Sequence, residues 1–197
     1  MKGRLLVATT NAGKLREIRL LLSGTPVELT TLRDLDPIDE PEETGATFQE
    51  NARLKALYYA SRSGLATVAE DSGLVIDGMD GQPGVRSARF LRPDASYPER
   101  FAEIFRRLAE PPMKNRAARF VCALAVAEDG RIVYEARGIV EGEIADEPRG
   151  ERGFGYDPIF YFPPYDATLA EVADKAKLAV AHRGQAFRAL AAWLQRR

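Results

Sequence analysis

The chain alternates short apolar runs with longer stretches whose apolar positions recur every three or four residues. Leu5-Leu6-Val7-Ala8 is an unbroken apolar run that predicts a buried strand. After it, Leu15, Ile18 and Leu22 recur at helical spacing and predict a helix with one apolar face. Val27-Glu28-Leu29-Thr30 predicts a second strand, and Asp34 to Thr44 reads as an acidic loop containing proline. From Thr47 to Arg62 the residues Phe48, Ala52, Ala56 and Tyr59 form one stripe, with Gly64 just past the end, so a helix is predicted there. Ala66 to Ala69 predicts a strand that stops at Glu70-Asp71-Ser72-Gly73. Gly78 to Ala88 is rich in turn formers and reads as a loop, and Pro98 to Ala109 predicts a helix stopped by Pro111-Pro112.

The strongest strand signals follow. Arg119 to Ala127 and Ile132 to Arg137 flank Glu128-Asp129-Gly130-Arg131, and Asp-Gly between two apolar runs marks a hairpin. The second run extends through Val140 to Ile144. Arg149 to Pro158 carries Gly150, Gly153 and Gly155 and reads as a loop. Lys175 to Gln195 predicts a closing helix with Phe187, Leu190, Ala191 and Leu194 toward a core. Alternating strands and helices place the chain in the α/β class, and the long hairpin calls for a mixed sheet flanked by helices. The acidic pair and the glycine-rich loop are far apart in sequence. They are expected to meet in a cleft between two lobes of a single domain spanning residues 1–197.

Composition narrows the function classes. The 197 residues carry 28 Lys plus Arg against 29 Asp plus Glu, a net charge of -1, which argues against a general nucleic-acid coat. Any positive field must be local. Cys122 is the single cysteine, so neither an intramolecular disulfide nor a cysteine zinc site is available. Its apolar neighbours suggest a buried position. No apolar stretch approaches the ~20 residues of a membrane span, and the start lacks a signal-peptide apolar region, so a cytoplasmic protein without membrane contact is expected.

Several groups of residues carry candidate chemistry. Thr9-Thr10-Asn11-Ala12-Gly13-Lys14 lies between a strand and a helix, the layout of a phosphate cradle, although it is not the Walker A pattern. Thr10 or Asn11 serves equally as an ordinary helix cap. Glu70 and Asp71 point to opposite faces of a strand unless the chain bends, and such strand-end carboxylates can hold Mg²⁺ against a phosphate. Glu42-Glu43 reads either as a solvated charge cluster or as a further carboxylate for that cation. Asn51 and Lys55 share a helix face, as a surface pair or as a phosphate contact. Phe154-Gly155-Tyr156-Asp157 offers two rings for stacking on a base and a carboxylate for its edge, or else a packed loop. His182, the only histidine, stands beside Arg183 as a donor-rich pair.

Taken in order, these segments resemble the inosine triphosphate pyrophosphatase family over nearly the whole chain. The resemblance also covers Gly81-Gln82-Pro83-Gly84 with Ser87-Ala88-Arg89. It implies an elongated mixed sheet with two lobes around a central cleft, a homodimer, and Mg²⁺-dependent hydrolysis of ITP, dITP and XTP to the monophosphate and pyrophosphate. It implies that Thr9, Thr10, Asn11, Ala12, Gly13 and Lys14 hold the triphosphate, and that Asp71 is the catalytic base and a Mg²⁺ ligand with Glu43. It implies that Ser72, Phe154, Gly155, Tyr156, Asp157, Lys177, His182 and Arg183 bind the purine nucleotide, with His182 or Arg183 donating to the 6-oxo group. Glu70 stands where some relatives have Asp, and Ala181 where a Ser often precedes the His-Arg pair, which removes a hydroxyl near the base. Three other readings compete: a pyrophosphatase resembling the Maf family, a nucleotide-binding module without turnover, and a nucleic-acid-binding domain.

Overall fold

The computed structural model describes residues 3–110 and 115–197. Its elements are β1 (Arg4–Val7), α1 (Ala12–Leu21), β2 (Glu28–Thr31), α2 (Phe48–Ser63), β3 (Ala66–Ile76), α3 (Tyr97–Ala109), β4 (Ala117–Glu128), β5 (Arg131–Ile144), β6 (Phe160–Phe162), β7 (Ala167–Thr168), α4 (Asp174–Val180) and α5 (His182–Arg196). Among the described residues the strands form one seven-stranded sheet in the order β2-β1-β3-β4-β5-β6-β7. β1 is parallel to β2 and to β3, with Leu5 opposite Leu29 on one side and Ala66 on the other. β5-β6-β7 are antiparallel. The expected mixed α/β sheet is therefore observed.

Local chemistry sets the element ends. Thr47 and Ser96 cap α2 and α3, each in a reciprocal capping box with the glutamate three residues on, Glu50 and Glu99. Asp129 and Gly130 both have positive φ, 50° and 75°, as a two-residue hairpin turn of matching twist requires. Pro111-Pro112, expected to stop α3, lie outside the described residues; the helix ends at Ala109.

The chain divides into two compact units: Met1–Asp71, Cys122–Gly138 and His182–Arg197 form the first, and Ser72–Val121 and Ile139–Ala181 the second. In the first, strand alternation sorts the core to two faces. Leu5, Val7, Val68 and Leu124 pack with Ile18 of α1 and with Phe187 and Leu190 of α5. Leu6, Ala8, Ala69 and Ala123 pack with Ala52, Ala56 and Tyr59 of α2. The second unit closes around Leu74, Ile76, Ile104, Leu108, Phe120 and Phe160. Each fully buried aliphatic side chain contributes about 1.5–3 kcal/mol by leaving water.

Two sequence expectations change. β3 does not stop at Ala69 but runs through Glu70-Asp71-Ser72-Gly73 to Ile76. A strand can carry two carboxylates through a core when each meets cations there, and both do. Gly73 marks a close approach and not a turn: a Cβ there would lie 2.3 Å from Ser87 Oγ and 2.6 Å from Gly84 O. The closing helix is two helices, because Ala181 is extended (φ -62°, ψ 151°). The break lets Lys177 bury within the second unit and Arg183 within the first. No helix among the described residues is long and apolar enough to cross a membrane.

Candidate active site

β3 presents its two carboxylates to opposite faces. Glu70 follows Val68 toward α1 and α5; Asp71 follows Ala69 toward α2. Glu70 Oε1 accepts a hydrogen bond from Arg183 Nε at 2.8 Å and lies 3.4 Å from Lys14 Nζ. Arg183 Nη1 donates to Glu17 Oε2 at 2.7 Å, and Cys122 Sγ lies 3.5 Å from Glu70 Oε2. Glu17, Glu70 and Arg183 are all buried. Burial works against the charge on Glu70, but Arg183 and Lys14 outweigh it and hold its pKa well below the usual carboxylate range. Burial, followed by the nearby Glu70 charge, pushes the Cys122 thiol up, so it is no nucleophile.

The surroundings of Asp71 differ. Its Oδ2 accepts from Asn51 Nδ2 at 3.1 Å, and its Oδ1 lies 3.3 Å from Lys55 Nζ. Lys55 also donates to Glu43 Oε1 at 2.6 Å. Asn51 and Lys55 stand one turn apart on α2, so the helix delivers an amide and an ammonium to the same carboxylate. Asn51 Oδ1 in turn accepts from Gly45 N at 2.8 Å, which ties down the loop that carries Glu43. Burial raises the Asp71 pKa; Lys55 opposes the shift and Glu43 adds to it. The carboxylate is thus a stronger proton acceptor than an ordinary aspartate. Glu43 Oε1 and Asp71 Oδ1 converge on one ammonium, which shows that this pair of oxygens accommodates a cation between them. Two carboxylates are enough protein ligands for Mg²⁺, which keeps several waters.

The Thr9–Lys14 segment forms the N-terminus of α1. Asn11 is the cap, its Oδ1 accepting from Lys14 N at 3.0 Å, while Thr9 Oγ1 accepts from Asn11 N at 3.2 Å. Thr10, Asn11 and Ala12 are exposed and Gly13 is half-buried, while the Lys14 amide is taken by the Asn11 cap. Thr10 Oγ1 donates to Glu40 at 2.8 Å. An exposed helix N-terminus with a lysine in its first turn attracts phosphate.

The second unit gathers another part of the predicted set. Asp157 Oδ2 accepts from Phe154 N at 2.8 Å and from Lys177 Nζ at 2.6 Å. The Lys177 ammonium lies 5.0 Å from the centre of the Phe154 ring. Gly153 has φ +73°, and a Cβ there would fall 2.1 Å from Asp157 Oδ2, so the loop needs glycine at this position. Ser72 is half-buried beside Asp71 on β3. Here the sequence reading narrows. The Tyr156 ring is buried against Phe101 and Tyr97 and its hydroxyl donates to Ser87 O at 2.8 Å, so this ring is not free to stack on a base. Arg183 likewise commits Nε and Nη1 to Glu70 and Glu17, and His182 beside it is buried.

Sequence reasoning weighed Asn51 and Lys55 but left both undecided, and it passed over Glu17. The available signal for Glu17 was its place beside Ile18 on the buried side of α1, three residues after Lys14, where a carboxylate needs a cation.

Residues 5–193 match the family model described as Ham1 family. The chain belongs to the Ham1 family. A relative from Geobacter sulfurreducens named dITP/XTP pyrophosphatase is 46% identical over 184 residues, 93% of this chain and 92% of that protein. One of the same name from Nostoc sp. is 48% identical over 188 residues, covering 94% and 91%. The structure of a HAM1 protein from Coxiella burnetii superposes with a TM-score of 0.91 at 38% identity, covering 98% of this chain and 99% of that one. The family resemblance read from the motifs thus agrees with both sequence and fold.

Proposed function

We propose that this chain hydrolyses non-standard purine nucleoside triphosphates (ITP, dITP and XTP) to the monophosphate and pyrophosphate, with Mg²⁺ held by Asp71 and Glu43. The carrying observation is Asp71: a buried carboxylate of raised pKa, fixed by Asn51 and Lys55 and paired through the lysine with Glu43. A module that only binds nucleotide has no need of such an arrangement. The names of the relatives supply the substrate class.

In this reading the Thr9–Gly13 turn at the start of α1 and the Lys14 ammonium bind the triphosphate, and Ser72 touches it beside Asp71. Asp71 orients a water toward the α-phosphorus and holds the proton it gives up. The water oxygen bonds to the α-phosphorus as the bridging oxygen departs with pyrophosphate. Mg²⁺, when bound, supplies charge neutralisation for the phosphate oxygens. Recognition of the base is assigned to the remaining residues that the family resemblance implies. Phe154 stacks on the ring, Gly155 and Tyr156 contribute backbone, and Lys177 and Asp157 fix the loop. His182 donates to the 6-oxo oxygen, which adenine lacks; sites built on such hydrogen bonds reject the wrong base by factors on the order of 10⁴. Pyrophosphate release from ITP, dITP, XTP, GTP, ATP and dUTP, with and without Mg²⁺, tests the proposal. Release should be greatest with the first three and should require the metal. Absence of release from every nucleotide would leave a binding module as the answer.

A further inference from the structure

Lys55 occupies an unusual place for a side chain in a metal-dependent site. Its ammonium lies 2.6 Å from Glu43 Oε1 and 3.3 Å from Asp71 Oδ1, the two oxygens that the proposed function assigns to the cation. The side chain is only 13% exposed. An ammonium and a Mg²⁺ ion with oxygens at about 2.0–2.1 Å cannot share that space, and their charges repel. Burial disfavours the charge on Lys55, yet Asp71 and then Glu43 more than restore it, so the lysine is cationic in the resting protein. Lys14 adds a smaller positive influence on Asp71 than Lys55 does. Lys14 approaches Glu70, and Arg183 bridges Glu70 to Glu17, on the other face of β3.

We propose that Lys55 is an internal counter-ion that keeps the Glu43–Asp71 pair closed to a divalent cation until a triphosphate draws its ammonium away. The inference rests on the proposed function and adds to it an order of events. Lysine suits the task because it is a compact charge on a flexible four-carbon stem, free to exchange carboxylate oxygens for phosphate oxygens without moving α2. Once it swings aside, the two carboxylates lose their shared ammonium at the moment the nucleotide arrives. Cation and nucleotide then bind cooperatively, and the free protein holds little metal. Lys55 acts here as a positioning residue, through the carboxylates it occupies.

The test is a Mn²⁺ titration of nucleotide-free protein followed by the electron spin resonance of the free ion. Lys55→Met removes the charge, and Lys55→Gln removes it while keeping a hydrogen-bond donor for the two carboxylates. Either variant, if folded by circular dichroism, should bind Mn²⁺ about tenfold or more tighter than wild type. Wild type should gain Mn²⁺ affinity when an α,β-methylene analogue of ITP is present, after correction for the ion that the analogue binds in solution. The folded variants should lose most of that gain. Variants that bind Mn²⁺ no tighter than wild type would overturn the inference. Should neither variant fold, the Lys55 Nζ resonance of ¹⁵N-lysine-labelled wild type decides: it should stay in place with Mg²⁺ alone and move with the analogue, and movement with Mg²⁺ alone refutes the idea. Failure of the underlying function looks different, because wild type would then release no pyrophosphate from ITP and bind no Mn²⁺ even with the analogue.

Discussion

On the α1–α5 side of β3, Glu70 sits against Arg183 and Lys14; one residue later, on the α2 side, Asp71 sits against Asn51 and Lys55, with Glu43 beyond the lysine. Both carboxylates are buried, at 4% and 6% exposure, so burial alone does not separate them. The partners do. Glu70 has a bidentate-capable guanidinium that is itself anchored by Glu17, a buried cluster of paired charges. Asp71 has a flexible lysine shared with a second carboxylate, and its affinity for a proton rises where that of Glu70 falls. Adjacent residues of similar type thus receive different surroundings: one fastens the sheet to two helices, and the other is the carboxylate to which the proposed function gives the chemistry.

Substitutions can break this contrast. The largest effect should come from Asp71→Asn, which should lower kcat for ITP by about 10²–10⁴-fold at saturating Mg²⁺ with the fold intact. Turnover near the wild-type level would remove Asp71 from the catalytic role. Glu70→Gln should instead act on stability, costing about 3–5 kcal/mol in denaturant unfolding, because it leaves the buried Arg183 with one carboxylate fewer. A loss of activity without a loss of stability would show that Glu70 belongs with the chemistry. His182→Ala should reduce the preference for ITP over ATP by about ten- to a hundredfold, the worth of one buried hydrogen bond, read as a ratio of kcat/KM values. An unchanged ratio would take selectivity away from this histidine.

The smallest effect is a difference in pH dependence. The folded pKa of Glu70 lies below its unfolded value, so its stabilisation is complete above the ordinary carboxylate range, about pH 4, and is lost as pH falls through the folded value. Asp71 has the opposite sign: its folded pKa is raised, so its contribution is present below about pH 4 and is lost as pH rises through the folded value. Melting temperatures of wild type, Glu70→Gln and Asp71→Asn between pH 2 and pH 7 should therefore diverge in opposite directions. Parallel curves would mean that the two carboxylates share one environment after all.

The amino-acid sequence by itself determined most of the elements, because those rest on local pattern, but not the length of β3 or the break at Ala181. The Asp129-Gly130 hairpin, the Thr47 cap of α2 and the apolar stripe of Ala52, Ala56 and Tyr59 need only neighbours within a few residues. The ordered motifs likewise singled out Asp71, Lys14 and the Phe154–Asp157 loop as candidates, since backbone chemistry and residue type are written along the chain. Only the tertiary structure decided which carboxylate would be fastened and which left responsive. That choice depends on Arg183 reaching Glu70 across 113 residues and on Lys55 reaching Asp71 from another helix. The same is true of Tyr156, whose ring sequence reading offered to a base and packing turned into the core. Charge and burial are properties of what surrounds a side chain in space, and sequence spacing carries no record of partners brought together by folding.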